Sequence, residues 1–324
     1  MKGAMREVRP TVALVRAENG ALGRPDQSDI TDAVYRALDL IAHTPSHQPQ
    51  TVAIKPNLRF YWDYSTGETT DPRVVAAVID YVRERWNPQA RIAVVESDAS
   101  AMRTRYAFPM LGYDRLAREK EVELVNLSED EMLEREVRVG SRALRLPLPR
   151  SLHEVDLFIS CPKLKVGPYA GGNALHITCT LKNLYGCIGK RRKLVYHPQV
   201  NEVIVAVNKQ LRPHLHVVDG IVALSSRPVR LGLIIAGTDA VAVDSVAAQV
   251  MGYNPAEVKQ IRLAEQERVG SRRGLVTLGE DVRSLAKAFP KRNQIGFKLS
   301  WHLQLAMLRL YARLSGDAVP PALD

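Results

Sequence analysis

Lys182 and His197 stand near the end of residues 161–198, which read CPKLKVGPYAGGNALHITCTLKNLYGCIGKRRKLVYHP. Such a pair does general acid–base work once burial brings the lysine pKa toward neutrality. The same stretch carries Gly167, Gly171, Gly172, Gly186 and Gly189 among Lys163, Lys165, Lys190, Arg191, Arg192 and Lys193. Glycine lets backbone approach a ligand, and basic heads neutralise its charge, so the pattern points to a small phosphorylated or carboxylated anion. Neither GxxxxGK[ST] nor GxGxxG occurs here, so a standard nucleotide loop is not supported. A solvated basic loop is the plainer alternative, with Lys182 fixing the turn before Asn183 and His197 as a structural histidine.

Other residues of suitable chemistry fall at predicted strand ends. Lys55 closes an apolar run before Pro56, which forces its head to a sheet edge. Asn57, Thr69 and Thr70 are candidate hydrogen-bond donors to the same ligand, or simply parts of a turn. Glu96, Asp98, Asp219, Asp239 and Asp244 are the available acids. Asp219-Gly220 reads as a ligand-facing turn or a hairpin signal. Asp239 suits a helix cap, and Asp244, inside an apolar stretch, needs a lysine, a backbone amide or a divalent metal as partner. Cys179, Cys187, His176 and Asp244 are the candidate metal ligands, although no spacing forms a metal motif.

The elements that must position these residues alternate short β-branched runs with helical patterns, the signature of α/β units on a mainly parallel sheet flanked by helices. Strands are expected at residues 11–15, 51–55, 91–96, 124–127, 157–161, 216–219 and 233–236, and an edge hairpin within 136–146. Helices are expected from residue 30, from Pro72 with Asp71 as N-cap, over 203–211 and over 239–251. The lysine segment follows a strand directly, at the carboxyl edge where open α/β sheets place ligands. We read residues 1–265 as the α/β domain, as one body or as two lobes around a cleft, and 266–324 as a basic helical C-terminal extension.

The chain has 324 residues, 46% hydrophobic and 25% charged, which excludes disordered and collagen-like classes. Its net charge of +10 is not uniform. Residues 161–212 hold nine basic residues and one acid, and residues 271–324 hold nine and four, leaving the remainder at −3. Three cysteines, Cys161, Cys179 and Cys187, are too few for a disulfide scaffold, and the first residues show no apolar signal region, so a reduced, cytoplasmic protein is expected. No run approaches the roughly 18 apolar residues of a spanning helix.

Six motifs in fixed order carry a resemblance. TVAIKPNL (51–58), TTDPRVV (69–75), CPKLK (161–165), LKNLYGCIG (181–189) leading to His197, DGI (219–221) and AGTDAVAVD (236–244) look like the DUF362 family. That is a domain of unknown function, sometimes joined to ferredoxin-type iron–sulfur modules. The resemblance implies an α/β fold over residues 11–253, and an iron–sulfur protein as a possible class of partner. The cysteine-rich ferredoxin insertion has no counterpart here. Lys55-Pro56-Asn57, Thr69, Thr70 and Pro72, with Lys182 and His197 later, also resemble more faintly the lactate racemase family. That echo implies a cleft and a nickel-pincer nucleotide as one cofactor class; the family's early Asp-His pair is missing.

Over residues 295–314, Lys298, His302, Arg309 and Arg313 fall within about 60° on a helical wheel. Leu299, Leu303, Met307 and Leu310 lie opposite. This basic amphipathic pattern suits a peripheral membrane surface or a partner, or packing on its own body. Three functions follow: an enzyme acting on a small anion by isomerase, lyase or redox chemistry; a non-catalytic anion-binding or electron-transfer partner of an iron–sulfur protein; and nucleic-acid binding. The last has only Tyr169, Tyr185 and Tyr196 as stacking candidates.

Overall fold

The computed structural model describes residues 9–17, 24–99, 102–167, 176–191 and 193–290. The strands are β1 (Thr11–Arg16), β2 (Thr51–Pro56), β3 (Arg91–Glu96), β4 (Glu123–Asn126), β5 (Met132–Val139), β6 (Arg142–Pro149), β7 (Leu157–Cys161), β8 (Lys163–Val166), β9 (Ile177–Thr178), β10 (Leu215–Leu224), β11 (Pro228–Gly237) and β12 (Val276–Gly279). Ten of them form one sheet in the order β12-β1-β11-β10-β7-β2-β3-β4, with β8 on β10 and β9 on β8. Its centre, β10-β7-β2-β3-β4, is parallel. β11 runs antiparallel to both β1 and β10. Apart from β5 and β6, the strands of the described residues thus form one continuous sheet.

Alternation along each strand feeds two cores. Val12 and Leu14 of β1 pack with the helices Val200–Gln210, Ala240–Val250 and Lys259–Gln266, while Ala13 and Val15 pack with the helices Gln27–Ile41 and Pro72–Arg85. The expected helix signals hold in detail. Asp71 accepts the amide of Arg73 at 2.9 Å, with Pro72 as the first helical residue, whose missing N–H costs nothing there. Asp239 accepts the amides of Val241 and Ala242 at 2.8 and 2.9 Å.

Three expectations change. Strands read as 216–219 and 233–236 are the cores of β10 and β11, ten residues each, so Asp219-Gly220 lies within a strand and is not a turn. The register shifts between Gly220 and Val222, where a Cβ on Gly220 would come 2.7 Å from the Leu233 carbonyl oxygen. The hairpin seen at 136–146 is β5–β6, a separate two-stranded sheet; Val137, Val139, Leu144, Leu146 and Leu148 face the core while Glu136, Arg138, Ala143 and Arg145 meet solvent. Finally, β12 pairs with β1 in parallel and Leu285 of the helix Val282–Ala288 is buried in the same core, so the body runs past residue 265. The tail pattern at 295–314 lies outside the described residues.

Candidate functional site

β2, β3 and β7 run in parallel, so their carboxyl ends fall on one edge, and that edge gathers most of the singled-out side chains. Lys55, fully buried, is held 2.7 Å from Glu96 Oε1 at the end of β3 and donates to the Pro56 carbonyl at 3.0 Å. Glu96 also accepts the amides of Leu58 and Ser97, at 3.1 and 2.9 Å. Gly186 is packed on this pair: a Cβ there would stand 2.9 Å from Lys55 Nζ and 3.1 Å from Glu96 Oε1. Asn183 donates to the Lys55 carbonyl at 3.1 Å and to Ser160 Oγ at 2.9 Å, tying the lysine turn to β2 and β7.

A second buried pair lies where β8 meets β10. Lys163 Nζ is 2.7 Å from Asp219 Oδ2, and both side chains are 0% exposed. Asp219 also accepts the amides of Asp71 (2.7 Å) and Ile221 (2.9 Å). Its partner count marks it as an organiser of the edge. Asp71 is buried too; loss of solvent pushes its carboxyl above the usual range, opposed by the Arg73 guanidinium at 2.8 Å. Thr70 Oγ1 donates to the Cys161 carbonyl at 2.8 Å and accepts the Asn57 amide at 2.9 Å, so these two residues do form a turn. Thr69 is buried alongside. Thr69 Oγ1, Asn57 Oδ1 and Asn183 Oδ1 are buried atoms with no hydrogen-bond partner, a state that folded proteins rarely tolerate without water or ligand.

Lys165 donates to the Glu68 carbonyl at 2.7 Å and approaches its carboxylate at 3.3 Å; burial lowers its pKa to about 8. Lys193, from the basic run, is also buried and bonds Ser97 Oγ (2.5 Å), the Asp98 carbonyl (2.7 Å) and the Gly186 carbonyl (2.9 Å). Burial lowers it to about 8 as well.

Lys182 differs from all of these. Its ammonium has no acidic or carbonyl partner among the described residues and stands 3.9 Å from the centroid of the Tyr185 ring. Desolvation lowers its pKa to about 7, and Arg59, Lys165, Lys193 and Lys55 act in the same direction. Its turn is fixed from below. Asp244 accepts the amides of Thr180 and Leu181 at 2.7 and 3.2 Å, and Asn208 donates to the Leu181 carbonyl at 2.8 Å. Of the partners open to Asp244, the backbone amide is the one found. Burial raises its carboxyl to about 6.

His197 reaches the same neighbourhood from the surface, its ring 6.4 Å from that of Tyr185, and partial desolvation together with Lys182 and Arg59 lowers its pKa. Lys182 and His197 thus both neighbour Tyr185, which donates its hydroxyl to the Lys193 carbonyl at 2.5 Å. Gly171 and Gly172 lie outside the described residues.

Cys179 and Cys187 are buried, and desolvation raises both thiols, Cys187 to about 12. His176 stacks edge-on against Tyr253 at 5.7 Å. Among the described residues no three His, Cys, Asp or Glu side chains come together around a point where a metal ion would sit, so these four do not assemble as a ligand set, for nickel or otherwise. Sequence reasoning missed Glu96 as the partner of Lys55, the burial of Lys193 and the place of Tyr185 beneath Lys182, and missed Arg59 and Glu68 altogether. Glu96 had a signal in its strand-end position; Lys193 was hidden in a run of charges that looks solvated.

Over 138 residues the chain is 30% identical to a thylakoid-associated protein, sll1697, of Synechocystis sp., a match spanning 39% of this chain and 41% of that one. A structural likeness to the lactate racemase apoprotein of Thermoanaerobacterium thermosaccharolyticum has a TM-score of 0.41 at 13% identity, over 75% of this chain and 57% of the racemase. The chain thus spans well under two thirds of either protein. The model of one family, described as a domain of unknown function (DUF362), matches residues 52–249, and with more than half of its length so matched the chain belongs to the DUF362 family.

Proposed function

We propose that this edge binds a small phosphorylated or carboxylated molecule, substrate or cofactor, and that Lys182 transfers a proton to or from it. The observation that carries the reading is the contrast among the lysines: Lys55, Lys163, Lys165 and Lys193 are each engaged by carboxylates or carbonyls, whereas Lys182 has only a ring face beneath it. Surrounded by Arg59, Lys165, Lys193 and Lys55, it sits in a positive field that attracts an anion. A lysine near half-protonation at neutral pH serves equally as base and acid. His197 at the rim supplies a second proton carrier. The unpartnered Thr69 hydroxyl can donate to the anion, while the carboxamide oxygens of Asn57 and Asn183 accept and so suit hydroxyl groups of the same ligand.

The test is native mass spectrometry of gently purified protein, followed by extraction of whatever small molecule it retains. Wild type is expected to carry an anionic species that Lys182→Ala loses with an almost unchanged melting temperature. Retention by Lys182→Ala, or its unfolding, overturns the reading.

The name of the Synechocystis relative supports a second, separate property, peripheral contact with a membrane, and we propose that the basic amphipathic pattern of residues 295–314 makes it. Among the described residues no helix is long and apolar enough to cross a membrane. Co-sedimentation with vesicles containing anionic lipid, lost on deleting 295–324, is the expected result; unchanged co-sedimentation overturns it.

A further inference from the structure

A cavity of about 190 Å³ opens at the start of β10, lined by Asn208, Arg212, His216 and Thr238, with Pro213 and Val269 as apolar wall. His216 precedes Asp219 by three residues, roughly 10 Å of strand at ~3.3 Å per residue. The two also point to opposite faces: His216 shares the face of Val218 and the helix Val200–Gln210, while Asp219 shares that of Val217 and Ile221. The cavity is therefore distinct from the lysine edge.

Its polar groups are incompletely satisfied. His216 is 1% exposed and Asn208 2%. His216 Nδ1 and Asn208 Oδ1 are nevertheless without hydrogen-bond partners. Desolvation, with a smaller effect of His214, lowers His216 to about 3, so the imidazole is neutral at any physiological pH. Arg212 at the mouth is exposed and has no ion pair among the described residues. The amides opening the helix Ala240–Val250 are already taken by Asp239, which leaves Arg212 as the charge that a ligand meets.

Volume and chemistry together limit the occupant. The space is several times the roughly 30 Å³ share of one water molecule. It is smaller than the ~300 Å³ at which drug-sized pockets begin. An exposed guanidinium favours a carboxylate or phosphate, which it grips with two parallel bonds. A carboxamide oxygen accepts, and a neutral imidazole nitrogen accepts or donates, so one hydroxyl group can satisfy both. We propose that this cavity is a second binding site, for a small oxyanion carrying a hydroxyl group, with the anion on Arg212 and the hydroxyl between Asn208 and His216.

Titration calorimetry with glycerate and with glycerol 3-phosphate tests it, with acetate (no hydroxyl) and glycerol (no charge) as controls. Arg212→Gln is the main variant because the side chain is exposed and its loss leaves the core intact. Asn208 is kept, since its amide also holds the Leu181 carbonyl beside Lys182. At least one of the two probes is expected to bind saturably and more tightly than either control. Arg212→Gln should weaken it at least about tenfold, the worth of one charge-assisted hydrogen bond, and Lys182→Ala should leave it unchanged. No saturable binding, or binding that Lys182→Ala removes and Arg212→Gln spares, overturns the proposal; the second outcome would instead place the probe at the lysine edge.

Discussion

The ammonium of Lys182 lies over the ring of Tyr185, 3.9 Å from its centroid, and the ring of His197 stands 6.4 Å from the same ring. A ring face attracts a cation without accepting its proton, worth about 0.5–2 kcal/mol depending on exposure. It holds Lys182 in place and leaves the nitrogen available.

That arrangement predicts unusual reactivity. With its pKa lowered to about 7 by desolvation, Lys182 is half neutral at pH 7, whereas an ordinary lysine is almost wholly charged. Brief acylation followed by peptide mass spectrometry should label Lys182 ahead of the exposed lysines, with a midpoint near pH 7. A midpoint near pH 10 would contradict the assignment.

Lys163 and Asp219 form a pair with no exposed surface on either side. Asp219→Ala strands a buried ammonium and removes the acceptor of the Asp71 and Ile221 amides, so it should cost about 3–5 kcal/mol in urea unfolding. A loss below 1 kcal/mol would show that water reaches the site.

At Gly186 the space is already filled by the Lys55 chain and the Glu96 carboxylate. Gly186→Ala should displace that pair and destabilise the protein by about 1–3 kcal/mol, the range for overpacking. A stability equal to wild type would mean the backbone of residues 184–187 moves away freely.

Asp244 gives a pH signature. Its folded pKa, pushed up by burial to about 6, lies above the ordinary aspartate value of 3.8, so the folded state holds a proton that the unfolded state releases first. The group therefore contributes stability below pH 4, and that contribution is lost as the pH rises to about 6, by roughly 3 kcal/mol at 1.36 kcal/mol per unit. Asp244→Asn should flatten this part of the stability curve while keeping one acceptor for the Thr180 and Leu181 amides. An unchanged slope between pH 4 and 6 would assign the effect elsewhere.

Much of this protein could be read along the chain because the relevant physics is local. The alternation in β1 and β2, the Asp71-Pro72 helix start and the Asp239 cap depend on neighbours a few residues away. So does the placement of Lys55 at a strand end, where Pro56 follows it. The concentration of lysines and glycines after β7 was likewise visible, and with it the edge where a ligand would sit.

The tertiary structure decided which of those residues are spent on the fold and which are left over. Charge type alone cannot distinguish Lys163, neutralised by a carboxylate 56 positions away, from Lys182, which has none. Nor can it show that Lys193 in a basic run is buried, or that Asp244 caps the turn of Lys182 across 64 positions. Pairing energies depend on distance and desolvation, and both are set only when β2, β3, β7 and β10 come together. The sequence determined the chemistry available at the sheet edge; folding determined that Lys55, Lys163, Lys165 and Lys193 meet carboxylates or carbonyls there, whereas Lys182 meets a ring face.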